Sequence, residues 1–172
     1  DSIIRKWNLG VTENDRGEYR KGKLVDPAHP VVFYIDTCCP AEVVPYIKEG
    51  VLAWNAAFEK AGFKNALRVK MADSKTVLEE QRAVIAYDLH EAGIRTGYTF
   101  HPKTGEILSC RVNIGHGFLP KELWRYVLEC GTVDDRIRKE FFHPDVVGEI
   151  LRSKVIRAVG SVLGLKENLA GS

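Results

Sequence analysis

The chain has a single methionine, Met71, and no apolar run near the roughly 20 residues that a membrane-spanning helix needs. It has no internal repeat and no low-complexity segment, which excludes solenoid arrays and extended linkers. No G-x-S-x-G elbow, phosphate loop or dinucleotide fingerprint occurs, so three common routes to catalysis or cofactor binding are closed. A charge excess of one sign is also missing. The 25 basic and 23 acidic side chains are interspersed, and the net charge is +2. The small basic cluster Arg16, Arg20, Lys21, Lys23 is interrupted by Glu18. Phosphate binding needs a basic stripe, so nucleic acid is not expected as a partner.

Histidine and cysteine are sparse and badly spaced for metals. His29, His90, His101, His116 and His143 never fall four apart, so no helical pair of imidazoles forms. A converging set of His90, Glu91, His101 and His116 is weighed against scattered loop histidines, and the scattered arrangement is expected. Cys38, Cys39, Cys110 and Cys130 lack C-x-x-C spacing. They are expected as buried or half-buried thiols. A bridge from the Cys38–Cys39 pair to Cys110 or Cys130 stays open for an exported protein. Asp134 and Asp135 beside Arg136 and Arg138 read as a solvated face with local ion pairs.

What is present is the composition of a globular protein: 172 residues, 45% hydrophobic and 28% charged, enough for one domain. The chain starts at Asp1 and is expected to be a processed or trimmed product. Residues 1–30 form an N-terminal extension, with a strand expected over Ile3 to Val11 and then a polar loop. "VVFYID", Val31 to Asp36, reads as a buried strand. Val44, Ile47, Val51, Trp54 and Phe58 recur at steps of three and four, which predicts one long helix ending at Gly62.

Strands are expected over Ala66 to Ala72 and Ala83 to Leu89, separated by a polar loop over Asp73 to Gln81 with a short helical turn. Two more flank the turn His101 to Gly105, and the second, Ile107 to Ile114, is placed at the sheet edge. Helices are expected over Leu119 to Glu129 and Pro144 to Leu165, with a partly helical connector from Val133 to Phe142. Strands followed by helices predict an α+β domain, a mixed sheet with helices on one side.

Four stretches taken together, "PVVFYID", "YIKEGVLAWNAAFEKAGFKNA", "HPKTGEILSCRVNIG" and "LGLKENLAGS", resemble a branch of bacterial metzincin-like zinc metallopeptidases. In that branch an "EGV-AWN-AFE-AGF" helix, a "D-P-TGEIL-A" edge strand and an "AHEVGHTLGLRHNMAGS" motif follow in this order. The resemblance covers about Val31 to Ser172. It implies the zincin/metzincin N-terminal subdomain: a twisted mixed sheet, a long backing helix and an active-site-type helix, with residues 1–172 as a single catalytic-type domain. The family's methionine turn and C-terminal subdomain are expected beyond the last residue. It also implies a secreted, periplasmic or cell-envelope location.

The chemistry of the resemblance fails residue by residue. In H-E-x-x-H-x-x-G-x-x-H, helical donors one turn apart share a zinc ion, the acid deprotonates its water, and the glycine returns the third ligand. With the glycine at Gly164, the ligand positions fall on Arg157, Ser161 and Glu167, and the general-base position falls on Ala158. Guanidinium has no lone pair to offer, and a methyl group cannot move a proton. No cofactor is therefore expected where the family holds zinc.

The leading expectation is a catalytically inactive pseudopeptidase that binds a peptide or protein, or serves as structure. The edge strand Ile107, Leu108, Ser109, Cys110, Arg111, Val112, Asn113, Ile114 would be its peptide ledge, by strand addition, the alternative being an edge covered by absent parts of the chain. An active zinc peptidase with unorthodox ligands or ligands from a missing region is the first alternative, and a plain scaffold the second. An Arg157–Glu167 ion pair, with Ser161 as a hydrogen-bond partner, is weighed as a tie that would close the gap a metal leaves. Against it stands the reading that both side chains point into solvent.

Overall fold

The computed structural model describes residues 4–73 and 82–165. A five-stranded sheet carries the fold: β1 (Val31–Ile35), β2 (Leu67–Met71), β3 (Ala83–Asp88), β4 (Ile94–Phe100) and β5 (Ile107–Gly115), in the spatial order β2-β1-β3-β5-β4. The pairs β1–β2, β1–β3 and β3–β5 are parallel, and only β4 runs antiparallel, against β5. The expected α+β class and mixed sheet are therefore present.

Helices follow the apolar spacing. They are α1 (Arg16–Arg20), α2 (Val44–Leu52), α3 (Asn55–Lys60), α4 (Phe118–Cys130), α5 (Asp135–Lys139) and α6 (Pro144–Val162). Pro45 and Pro144 sit in the first turns of α2 and α6, where the missing N–H costs nothing. Ile47 and Val51 of α2 join Leu151, Val155 and Val159 of α6 over Phe33, Ile35, Ile85 and Val112 of the sheet. A smaller cluster, Leu123, Ile137 and Val146, packs α4 and α5 onto the start of α6.

Three expectations are corrected. The single long helix is two, broken at Ala53 and Trp54. At the break, the Trp54 indole N–H donates to the Ile156 carbonyl at 2.9 Å, and the Asn55 amide clamps both backbone groups of Leu67 at 2.8 and 3.0 Å. These sideways commitments to α6 and β2 accompany the interruption. The helical pattern does end at Gly62, where the N–H of Gly62 bonds Glu59 and that of Phe63 bonds Phe58.

The second correction concerns the N-terminal strand. Within the described part of Ile3 to Val11, only Lys6 makes a bridge, to Glu106. The Lys6 backbone pairs with Gly105 and Ile107, whereas the Leu9 and Gly10 carbonyls accept from His29 and Ala28. Divided between two partners, the segment builds no ladder.

The third concerns β5, placed at an edge from sequence. It lies inside the sheet, bonded to β3 on one side and β4 on the other. Ile107, Cys110, Val112 and Ile114 are buried accordingly, and the edge strand on this side is β4, with β2 at the opposite edge. The expected loop over Asp73 to Gln81 lies outside the described residues except for Asp73.

Candidate functional site

The C-terminal end of α6 faces the outer part of the sheet, and there the positions singled out from sequence can be located. Arg157 is exposed, Ala158 is buried, and Ser161 is half-buried one turn further on. The Ser161 hydroxyl lies 3.4 Å from that of Thr96 on β4, which ties the helix to the edge strand. Glu167 lies outside the described residues, and with it the Arg157–Glu167 pair weighed from sequence.

Gly164 is where the helix stops, as the spacing predicts. Its φ is +94°, and the N–H groups of Gly164 and Leu165 bond the Ser161 and Gly160 carbonyls, both at 3.2 Å. This closes the last turn with a left-handed residue, which glycine adopts without strain. A second constraint acts on the same residue: a Cβ there would sit 2.7 Å from the Arg5 carbonyl oxygen. Gly164 is thus required by its backbone angle and by the N-terminal segment pressed against it.

That segment is the part of the site that sequence reasoning missed. The Trp7 indole N–H donates to the Val162 carbonyl at 3.2 Å, satisfying one of the acceptors that a helix end leaves open. The Arg5 guanidinium donates to the Tyr98 hydroxyl and lies over two rings, 5.3 Å from the centroid of Tyr98 and 4.7 Å from that of Phe100. Lys6 docks at the turn end of the β4–β5 hairpin. The available signal was a tryptophan preceded by two basic residues, Arg5 and Lys6, near the start of the chain.

The zinc fit can be judged on the positions present. Arg157 offers no lone pair, Ala158 no polar atom, and the Ser161 hydroxyl is engaged with Thr96. These residues do not fit a zinc ion. Among the described residues no group of three His, Cys, Asp or Glu side chains could hold a metal ion. His101 and His116 flank opposite ends of β5, about 30 Å apart for a strand of that length, so the four-residue set does not converge. His101 caps its turn by accepting from the N–H groups of Lys103 and Thr104, and His116 bonds the Tyr87 hydroxyl at 2.8 Å.

All four cysteines are free thiols. Burial, helped by Asp36, pushes the Cys39 thiol up to about 11, and burial pushes Cys110 up to about 12. The Asp36 carboxylate raises the exposed Cys38 thiol as well. A raised thiol is a poor nucleophile, and Cys38, Cys39 and Cys110 are all raised. The Asp134–Arg136 pair is a structural network. Arg136 bonds Asp134 and Glu149, and the Tyr126 hydroxyl donates to Asp134. The Arg136 bonds hold the Asp134 carboxyl well below its usual range.

The outer edge of β4 is the remaining feature with binding chemistry. The N–H groups of Cys110 on β5 and of His116 just after it donate towards β3, to Arg82 and Asp88, and that of Gly115 donates towards β4, to Gly93. Backbone groups alternate sides along a strand, so Arg111 and Asn113 bond their partners Gly97 and Arg95. The N–H and C=O groups of Thr96 and Tyr98 therefore point outwards. Among the described residues no strand pairs with this edge. No family model, curated protein or solved structure matches this chain.

Proposed function

We propose that this chain is a metzincin-like domain whose zinc site has degenerated, and that it binds an extended peptide or protein segment without hydrolysing it. The observation that carries the reading is the open outer edge of β4 beside α6, where Thr96 and Tyr98 offer unpaired backbone groups. Strand addition needs only such groups and neighbouring side-chain contacts. The strand order with one antiparallel edge, the backing helices and the glycine stop of α6 support the family resemblance. The substitution of both helical ligand positions and the base supports the loss of hydrolysis.

Placing proline at an outward-facing N–H tests the ledge, because it removes a donor to the incoming strand and spares the bond to β5. Binding of extended peptides to the full chain, read by fluorescence anisotropy, is expected to weaken about ten-fold in Thr96→Pro. Thr96→Val keeps the N–H and is expected to bind as the parent does. Equal binding by Thr96→Pro and the parent contradicts the ledge, and time-dependent cleavage of the bound peptide contradicts the inactive assignment.

A further inference from the structure

Beside the edge strand lies a cation, Arg5, that no described residue neutralises. Arg95, on β4 itself, is paired with Glu91 at 2.8 Å. Arg5 has no carboxylate partner among the described residues; its contacts are the Tyr98 hydroxyl and the two ring faces. The side chain is exposed, yet it is held on three sides by the phenol oxygen, the rings of Tyr98 and Phe100, and its own backbone against Gly164. A guanidinium carries five N–H donors, and the phenol oxygen uses only part of them. Stacking on aromatic rings orients the group and lowers the entropy lost when it binds an anion.

The position of this cation relative to the ledge gives it a role. Thr96 and Tyr98 are directly opposite Val112 and Cys110, so their side chains lie on the helix-covered face while their backbone groups point outwards. A strand added to β4 runs about 4.8 Å away, and its residue opposite Tyr98 projects to the same face. Cross-strand and diagonal neighbours lie within reach of long side chains, so that residue meets Arg5. We propose that Arg5 makes the β4 ledge selective for a peptide carrying an acidic side chain opposite Tyr98 or diagonal to it. The inference rests on the peptide-binding reading above and adds its substrate class.

The test uses the full chain and positional-scanning libraries of dye-labelled decapeptides, with each position fixed in turn as Glu, Gln or Lys. Every peptide is acetylated and amidated, so no terminal carboxylate competes. At one position Glu is expected to bind roughly five- to ten-fold tighter than Gln, and Lys weaker than both. Arg5→Gln should erase the preference, and Arg5→Glu should turn it towards Lys at the same position, with unfolding midpoints recorded for both. The parent supplies a check independent of any variant: the Glu preference should shrink when salt rises from about 0.05 to 0.5 M.

Peptide binding with Glu and Gln equal at every position overturns the acidic preference and leaves the ledge standing. So does a preference that survives in folded Arg5→Gln. Absence of binding by every library removes the ledge and this inference together.

Discussion

Gly164 is the residue at which sequence, backbone and packing agree. Its left-handed φ and the close Arg5 carbonyl leave no room for a side chain. Gly164→Ala is predicted to destabilise the fold by about 1–3 kcal/mol, read as a lower urea midpoint. An unchanged midpoint would mean that the N-terminal segment does not press on the helix end. The ligand positions support a second prediction at this scale. Arg157→His with Ser161→His places two imidazoles one turn apart on α6, and added zinc is expected to raise the melting temperature of this variant. If zinc moves the variant no more than the parent, α6 does not present these positions to a shared point. The glycine was legible because a left-handed stop has few substitutes. The Arg5 stack was not legible, because a cation resting on rings in another part of the chain has no local spacing to reveal it.

At the scale of elements, the helices that back the sheet are held close by residues without side chains. A Cβ on Gly50 would lie 2.7 Å from Val155 Cγ1 and 3.2 Å from the Arg152 carbonyl, and one on Gly160 would lie 2.6 Å from the Trp54 ring. Gly50→Ala is predicted to cost about 1–3 kcal/mol through overpacking of α2 against α6. Gly97→Ala on the edge strand, where nothing lies within 4 Å, should leave the urea midpoint within about 0.5 kcal/mol of the parent. Most strands and helices could be read from apolar spacing, since burial of one face imposes it. The break at Trp54 escaped that reading because the ring stays on the apolar stripe while its N–H is drawn to Ile156. The edge was misassigned for a physical reason that the residues do contain. Arg95, Thr96, Gly97 and Thr99 are exposed on β4, whereas β5 alternates buried apolar residues through the middle of the sheet.

Across the whole molecule, pH acts through the network that ties α5 to α6. Arg136 keeps the Asp134 carboxyl below its unfolded value of about 3.9, so its stabilisation is complete above that pH and disappears as pH falls through the folded value. Asp134→Asn is predicted to remove this contribution, so the parent's stability advantage over it at neutral pH should shrink as the medium is acidified below about pH 4. An advantage that stays constant across that window would contradict the network. The overall α+β arrangement was readable from the order of elements, and the parallel core with β4 turned outside was not, because strand order depends on contacts distant in sequence.

On the reading proposed above, these scales meet in one claim: the chain has the frame of a metal-dependent peptidase around positions that do not bind metal. Zinc content of the purified full-length protein, measured after equilibration with zinc and removal of the free ion, tests this most directly. Zinc far below one per chain is expected. One tightly held zinc per chain, bound through protein side chains, would contradict it.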